Sequence, residues 1–137
     1  MSQKWIVLFI SVFTFSCNNS DFKCNQDALS ECEKDESKTN IRIINDSNYD
    51  FCNVIIGDKL NGHNYGEINS DQNTCYLIYE KAYNYAYVSL FIEEEELIIQ
   101  PIDYVGETPL GIGYFTYHLN IENRNGQKEL TIYTSID

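Results

Sequence analysis

The chain has 137 residues, of which 43% are hydrophobic and 22% are charged, and its formal net charge is −12. This length suits a single domain and excludes a typical two-domain enzyme. The apolar fraction predicts a packed core rather than a disordered chain. Nine basic residues stand against 21 acidic ones, so we expect no nucleic-acid partner, because phosphate binding needs a basic patch.

The first 17 residues are typical of a secretory signal. Lys4 precedes an apolar run from Trp5 to Phe13, and Ser16 stands immediately before Cys17. The apolar run is far shorter than the ~20 residues of a membrane-spanning helix. One interpretation is an ordinary cleaved signal peptide in which Cys17 has no role, and the other is a lipoprotein signal.

The position of Cys17 resembles the lipobox of bacterial lipoproteins, in which the cysteine is acylated and becomes the first residue of the mature chain. The sequence departs from that pattern at Thr14, where the family usually has leucine. The resemblance implies a signal peptide over residues 1–16 and a lipid on Cys17. It also implies sorting to the bacterial outer membrane, because Asn18 follows the cysteine. The side of the membrane that the domain occupies stays open.

Charge and cysteine number agree with this interpretation. Removal of residues 1–16 takes away one base and leaves a net charge of −13, so attachment has to come from the lipid rather than from an anionic membrane surface. Acylation of Cys17 leaves four cysteines, an even number that suits disulfides in an oxidising compartment.

Residues 18–38 are polar, with six acids and three bases. This composition predicts a flexible spacer, so that the lipidated cysteine and tether cover residues 17–38 and one domain covers residues 39–137. Cys24 and Cys32 either close a small loop within the spacer or each reach into the domain.

From Thr39 onward, short segments of period-two alternation are separated by Gly, Asn and Asp, which favours an all-β sandwich or barrel. We expect a single antiparallel β-sandwich of seven or eight strands. The predicted strands cover 39–45, 51–57, 63–68, 74–80, 84–92, 96–102, 113–121 and 128–136.

The Asn125-Gly126 pair favours a type I′ turn. A hairpin centred on this turn places Leu119 opposite Ile132 and Ile121 opposite Leu130. These four residues then share one face, which we expect to be core, while polar residues occupy the other face.

A second hairpin is predicted to turn within Glu93–Glu96. Centring the turn on the middle pair of glutamates places Ile92 opposite Leu97 and Leu90 opposite Ile99. Because four consecutive carboxylates repel one another, we expect this turn to be fully solvated.

Cys52 and Cys75 each begin an alternating apolar face. If both faces point inward, the two residues form a disulfide across the core, and Cys24 then pairs with Cys32. A bridge that closes such a loop is worth roughly 3–4 kcal/mol. The alternative is that Cys52 and Cys75 are buried free thiols.

The sequence carries no pattern typical of an enzyme. His63 and His118 are the only histidines, and neither has a partner at metal-ligand spacing. Glu93–Glu96 and the loop from Asp103 to Glu107 supply oxygen ligands that calcium prefers, but not at the spacing of calcium loops. We therefore predict a non-catalytic protein with no metal and no cofactor. A histidine within hydrogen-bond reach of a carboxylate in a cleft would favour a small enzyme or enzyme inhibitor instead.

Aromatic and apolar residues on one side of the second hairpin are the strongest binding candidates. The alternation places Ala86, Val88, Leu90 and Ile92 on the core face, and this leaves a second apolar face on the same hairpin. Either the tether or a loop covers that face, or the face binds a sugar, a peptide or another protein. Its members are Tyr83, Tyr85, Tyr87, Phe91, Ile98 and Ile102.

The loop between the last two hairpins adds Asp103, Tyr104 and Glu107 as candidate polar groups. Together with residues 41–56 and 80–92, residues 100–119 resemble small uncharacterised bacterial lipoproteins with one Ig-like or transthyretin-like β-sandwich. The resemblance implies no activity that can be carried over to this chain. We predict a non-catalytic, lipid-anchored binding or accessory module of the cell envelope, with an envelope protein or a glycan as partner. A carbohydrate- or peptide-binding protein that uses the tyrosine face is the alternative.

Overall fold

A computed structural model describes residues 22–24, 32–58 and 60–137. Eight strands form two four-stranded sheets that pack face to face, so the predicted all-β sandwich is confirmed. Sheet I has the order β4-β1-β7-β8 and sheet II the order β3-β2-β5-β6. The strands are β1 (Thr39–Asn45), β2 (Phe51–Gly57), β3 (His63–Ile68), β4 (Leu77–Tyr79), β5 (Tyr87–Ile92), β6 (Glu95–Ile99), β7 (Gly113–Arg124) and β8 (Gln127–Ile136).

One strand pair departs from the expected antiparallel arrangement. β1 and β7 run parallel along their whole contact, from Thr39 opposite Gly113 to Asn45 opposite Leu119. The intervening chain builds β4 at the edge of sheet I and all of sheet II before β7 returns beside β1. Parallel pairing becomes available because no short hairpin joins these two strands.

The bounds of β1, β2, β3, β7 and β8 agree with the alternation to within three residues, whereas the predicted strands 74–80 and 96–102 are shortened to Leu77–Tyr79 and Glu95–Ile99. The predicted strand 84–92 begins only at Tyr87, because residues 80–86 run irregularly across the gap between the sheets. Side chains and backbone from sheet I and from the 100–112 loop hold this segment. The Oη of Tyr117 donates to the carbonyl of Tyr83 at 2.6 Å, and the N–H of Leu110 donates to the carbonyl of Ala82 at 2.9 Å.

Of the two predicted hairpin registers, one is confirmed and the other is wrong by two residues. β7 and β8 pair as predicted around the Asn125-Gly126 turn. In the other hairpin, Leu90 lies opposite Leu97 instead of Ile99, since the turn falls on Glu93–Glu94 and Glu93 adopts a φ of 56°. A shift of two residues leaves every side chain on its predicted face.

Buried polar groups join the two sheets. The Oη of Tyr65 on β3 donates to the carbonyl of Ile41 on β1 at 3.1 Å and lies 3.0 Å from the Oη of Tyr79 on β4. At the other end, the amide of Asn45 donates to the carbonyls of Tyr49 and Ile68 at 2.7 and 3.0 Å. These bonds satisfy side chains that would be costly to bury without partners.

All four described cysteines form disulfides, but the predicted pairing is wrong. Cys24 bonds to Cys52 on β2, and Cys32 bonds to Cys75 just before β4. Each cysteine of the predicted spacer therefore reaches into the domain, which was the alternative interpretation. One disulfide ends on sheet II and the other precedes the edge strand of sheet I, so the N-terminal segment is attached to both sheets.

A β-bulge in β2 explains the error in pairing. Asn53 has a φ of 51°, and the register of β2 with its neighbours shifts at this point. The extra residue reverses the alternation, so Phe51 and Val54 both face the core with no exposed surface. Cys52 instead lies opposite Phe91 on the outer side of sheet II, where Cys24 reaches it.

Candidate functional site

Tyrosines concentrate where β2 ends and β5 begins. The ring of Tyr104, from the 100–112 loop, stacks on Tyr83 with the centroids 4.4 Å apart, and on Tyr85 with the centroids 5.5 Å apart. Tyr79 and Tyr117 lie beneath them, 6% and 0% exposed. We call this region, with Tyr87 of β5, the tyrosine-rich end of the sandwich.

Two clefts lie on either side of Tyr104. The larger cleft has a volume of about 510 Å³ and combines apolar walls with polar and acidic groups. This volume falls within the range of ligand-binding sites. Its lining residues are Gly57, Asp58, Leu60, Tyr87, Gln100, Pro101, Ile102, Asp103 and Tyr104.

The smaller cleft has a volume of about 90 Å³. Apart from Gly57, Lys81, Ala82 and Ala86, its lining consists of tyrosines. Tyr104 and Gly57 belong to both clefts, so a change at Tyr104 affects the two sites together. The tyrosines of the smaller cleft are Tyr79, Tyr83, Tyr85, Tyr104 and Tyr117.

The structure divides the predicted tyrosine face into covered and open parts. Phe91 is half-buried beneath Phe22, whose ring centroid lies 5.0 Å away. Tyr87 is only 6% exposed and lines the larger cleft together with Tyr104. Ile98 is 48% exposed and Ile102, beyond the end of β6, is 99% exposed. The tether and the loop therefore cover part of this face.

Alternation did not place Tyr83 and Tyr85 correctly. Both lie in the irregular segment 80–86 rather than on β5, so the ring of Tyr104 and not a strand neighbour organises them. The core side of the prediction is correct, because Ala86 and Val88 are buried, as are Leu90 and Ile92.

The three loop candidates meet at the tyrosine-rich end. The carboxylate of Asp103 accepts the N–H of Val105 at 3.1 Å, and the backbone carbonyl of Tyr104 accepts the N–H of Glu107 at 3.0 Å. Partial burial and then the nearby carboxylate of Glu107 raise the pKa of Tyr85. These bonds hold the loop so that Tyr104 faces the clefts.

Some cleft residues were not predicted. Asp58, Leu60 and Gln100 come from two loops that are far apart in the chain and meet only in the folded protein. The carboxylate of Asp58 accepts the N–H groups of Leu60 and Asn61 at 2.7 and 3.1 Å. An Asp is typical of a turn in which its carboxylate accepts a backbone N–H two residues later. The local sequence, however, does not indicate which side chains from the rest of the chain this turn contacts.

A hydrogen-bonded row on the outer face of sheet I contains one of the two histidines. Nδ1 of His118 lies 2.8 Å from a carboxylate oxygen of Asp46, and Nε2 lies 2.9 Å from Oγ of Ser135. The imidazole stacks on Tyr133 with a centroid distance of 4.2 Å. This is the bonding order of a Ser–His–Asp triad, and His118 meets the distance condition that we set for an enzyme.

Other features of this row do not fit acyl transfer. His118 lies on the central strand β7, between β1 and β8, so backbone N–H groups around it are paired in the sheet rather than aimed at an oxyanion. The row also lies outside both clefts of the tyrosine-rich end. The geometry is that of a fixed imidazole on the outer surface of sheet I.

A second polar cluster adjoins this row. The carboxylate of Asp137 accepts bonds from Tyr76 at 2.6 Å, from Thr116 at 2.7 Å and from Arg42 at 3.2 Å. Burial raises the pKa of Asp137, but these donors outweigh it, so the net shift is downward. Burial and the bond to Asp137 raise the pKa of Tyr76 to about 12. The cluster links the central strands β1 and β7 to the residue before β4 and the residue after β8.

His63, the other histidine, lies at the tyrosine-rich end. It begins β3 opposite Ile56, and its ring centroid is 4.2 Å from that of Tyr79. Burial lowers the pKa of His63, while the carboxylate of Glu33 opposes this effect.

The remaining predictions concern metals and the anchor. Across residues 22–24, 32–58 and 60–137, no group of three or more His, Cys, Asp or Glu side chains is placed to hold a metal ion. The four glutamates of the β5–β6 turn are exposed, and Glu95 pairs with Lys128 at 2.7 Å. Cys17 and the signal segment lie outside the described residues. Within those residues, no helix is long and apolar enough to cross a membrane.

No protein-family model matches this sequence, and no curated protein matches it. The resemblance to small bacterial lipoproteins therefore stays a prediction.

Proposed function

We propose that this chain is a non-catalytic binding module of the bacterial cell envelope, held in the outer membrane by a lipid on Cys17, with its ligand site at the tyrosine-rich end. The larger cleft carries this proposal. Its volume of about 510 Å³ suits a ligand. Exposed apolar side chains converge on it, since Leu60 and Ile102 are 88% and 99% exposed.

The disulfide arrangement supports a lipid anchor on the opposite side from this cleft. Cys24 lies seven positions after Cys17, and a chain of that length spans at most ~25 Å. Cys24 is bonded to Cys52 at the start of β2, whereas Gly57 of the cleft ends the same strand. A lipid on Cys17 is therefore attached through the Cys52 end of β2, and the tyrosine-rich end lies at the other end of that strand.

A glycan or a peptide is the second candidate ligand for the larger cleft. Tyr87 and Tyr104 provide aromatic surface, while Asp58, Gln100 and Asp103 provide hydrogen-bonding groups around it. Aromatic surface with a few polar groups is what sugar and peptide ligands require. A glycan or peptide would bind at the same cleft that we propose for an envelope partner, so only the identity of the ligand differs between the two candidates.

Photocrosslinking in intact cells tests the site directly. We expect a photoreactive phenylalanine analogue in place of Ile102 to give a discrete crosslinked product. The same analogue in place of Ile136, which is also 82% exposed but lies on sheet I, serves as the matched control. Equal crosslinking at the two positions, or none at position 102, would contradict a ligand site at the tyrosine-rich end.

The anchor has an independent test. Cys17→Ser is expected to move the protein from the membrane fraction to the soluble fraction, because two or more acyl chains provide stable attachment that the protein surface does not. Unchanged membrane association of Cys17→Ser would rule out acylation at this residue.

A further inference from the structure

The edge strands of the two sheets are not equally protected against pairing with another chain. An exposed edge presents unpaired backbone N–H and C=O groups, and proteins protect such edges with short strands, charged side chains, bulges or a covering segment. Among the strands that the structure describes, the edges are β4 and β8 in sheet I and β3 and β6 in sheet II. Three of these four edges have such protection, and β8 does not.

Each protected edge has its own device. β4 is only three residues long, and the N-terminal segment lies beside its start, since the N–H of Glu33 donates to the carbonyl of Tyr76 at 3.2 Å. β6 begins with two exposed glutamates, Glu95 and Glu96. The register of β3 with β2 is broken by the bulge, and β3 carries the exposed Glu67. These features oppose the addition of a strand at all three edges.

β8 is the longest edge strand, with ten residues. From Leu130 to Ile136 it contains no charged residue, no glycine and no proline. Isoleucine, tyrosine and threonine in this stretch favour extended structure. Ile136 and Tyr133 are 82% and 56% exposed. We call the side of residues 130–136 that faces away from β7 the open edge of β8.

The Asn125-Gly126 turn determines which backbone groups face the open edge. A two-residue turn closes on a hydrogen-bonded pair, here Arg124 with Gln127. Hydrogen-bonded and non-hydrogen-bonded pairs then alternate along the ladder, so the odd-numbered residues of β8 bond to β7. The even-numbered residues direct their N–H and C=O groups away from β7, and within the open edge they are Leu130, Ile132, Thr134 and Ile136.

We propose that the open edge of β8 pairs with the same edge of a second copy of this chain, antiparallel and centred on Tyr133, so that sheet I continues across a two-fold axis. With Tyr133 opposite itself, the even-numbered residues of the two copies pair with one another and exchange about eight backbone hydrogen bonds. Leu130 then lies opposite Ile136 of the second copy, which gives this exposed side chain an apolar neighbour. Thr131 lies opposite Ser135, a favourable cross-strand pair of hydroxyl groups.

The charge distribution agrees with a second copy as the occupant. A chain with a net charge of −12 repels its own copies, so self-association needs a surface without charge, and the open edge is one. Glu129 and Asp137 come opposite each other at either end of the pairing, but they already have arginine partners at 2.9 and 3.2 Å.

The assembly is expected to close at two copies. Both copies use the same edge, and the other edges of the described strands are protected, so pairing at β8 gives a dimer rather than a fibre. The inference concerns sheet I and does not depend on the ligand site at the tyrosine-rich end.

Disulfide trapping tests both the pairing and its register. Residues of a non-hydrogen-bonded antiparallel pair have Cα atoms ~4.5 Å apart, within the range of a disulfide. Tyr133→Cys in the full chain, oxidised in the membrane fraction, is therefore expected to form a covalent dimer linked through position 133, as mapped by mass spectrometry.

Thr131→Cys is the matched control on the same strand, because the two copies of residue 131 are ~14 Å apart in this register. The wild-type chain, oxidised in parallel, accounts for any bridge through Cys17. No dimer of Tyr133→Cys through position 133, or equal yields from Tyr133→Cys and Thr131→Cys, would overturn the inference.

Two charge variants in the Tyr133→Cys background test the cross-strand pairs. Thr131→Lys/Ser135→Lys places like charges opposite one another in two pairs, and we expect the dimer yield to fall roughly fivefold. Thr131→Lys/Ser135→Glu changes the same positions but places opposite charges together, so the yield should persist. Equal yields from the two double variants would overturn the register.

A photoreactive phenylalanine analogue in place of Tyr133 identifies the occupant in intact cells. A product of two chains supports the inference, whereas a product with a different protein would assign the open edge to another strand and overturn it. In the crosslinking experiment at positions 102 and 136, we expect position 136 to give only a product of two chains. Its mass separates this product from a ligand product at position 102.

Discussion

The two ends of sheet II differ in how the rest of the chain treats them. At the β5–β6 turn, Cys52 and Phe91 are covered by a disulfide-bonded segment, with Phe22 packed on Phe91 at 5.0 Å. We call this the fastened end. At the tyrosine-rich end, the loop that carries Tyr104 covers Tyr87 but leaves clefts on either side of itself.

The difference lies in what covers each end rather than in the apolar surface of the strands. A disulfide keeps its cover in place permanently, whereas stacked rings and a few hydrogen bonds hold the loop at the other end. A ligand can therefore displace the loop or pack against it at the tyrosine-rich end. It cannot displace the disulfide-bonded segment at the other end. A cleft of about 410 Å³ also lies at the fastened end, lined in part by Phe22, Cys24 and the disulfide partner Cys52. Its shape therefore depends on the disulfide.

The largest expected effect comes from removing the disulfides. The double variant Cys24→Ser/Cys52→Ser should lose roughly 3–4 kcal/mol of stability, because the bridge closes a 28-residue separation in the unfolded chain. It should also bind the dye ANS, since the cover of Phe91 is released. Urea denaturation and dye fluorescence measure the two effects.

Cys32→Ser/Cys75→Ser is the matched control for this experiment. It opens a 43-residue separation and should cost a similar amount of stability, but it leaves Phe22 on Phe91. Strong dye binding by the control, or none by Cys24→Ser/Cys52→Ser, would contradict the assigned cover of the fastened end.

The same contrast shows what the sequence could predict. Alternation placed the core residues of β5 correctly, and the Asn125-Gly126 turn set the register of β7 and β8. Both signals are local, because side-chain alternation and turn chemistry depend on adjacent residues. The pairing of Cys52 was beyond such reasoning, since a bulge at Asn53 reverses the alternation between Cys52 and Val54.

The candidate site was predictable only in part for a related reason. Asp103 and Tyr104 were singled out from one loop, but Leu60 joins them in the larger cleft from a loop more than 40 residues earlier. Which loops meet at one end depends on the order of strands across two sheets, and the parallel pairing of β1 with β7 was not foreseen. Composition identified the aromatic candidates, whereas topology determines which of them form a cleft.

The next prediction concerns the floor of the tyrosine-rich end. Tyr65→Phe removes the hydroxyl that bonds both to the carbonyl of Ile41 and to Tyr79. We expect a loss of about 1–2 kcal/mol, because buried partners are left unsatisfied. Urea midpoints measure the loss, and Tyr133→Phe on the exposed face of sheet I should change stability by less than about 0.5 kcal/mol. Similar losses in both variants would contradict a special role for the buried pair.

A smaller effect distinguishes the two covers themselves. Phe22→Ala and Tyr104→Ala each remove one ring from an aromatic contact, worth about 0.5–1.5 kcal/mol beyond the buried area. Phe22→Ala should lower stability and leave crosslinking at position 102 intact, whereas Tyr104→Ala should abolish that crosslinking. Loss of crosslinking in Phe22→Ala would show that the two ends are coupled and would contradict the contrast between them.

The smallest effect is a pH dependence that arises at the tyrosine-rich end. Burial lowers the pKa of His63 below its usual value of 6.5, so the unfolded chain takes up a proton before the folded protein does. Stability should therefore fall as the pH decreases below 6.5, down to the folded pKa, where the loss is complete. Because His63 is only half-buried, solvent limits this loss to about 0.5 kcal/mol. Urea midpoints between pH 7.5 and pH 5 should show it in the wild type and not in His63→Phe, which keeps a ring against Tyr79. A fall that persists unchanged in His63→Phe would assign the pH dependence to other groups.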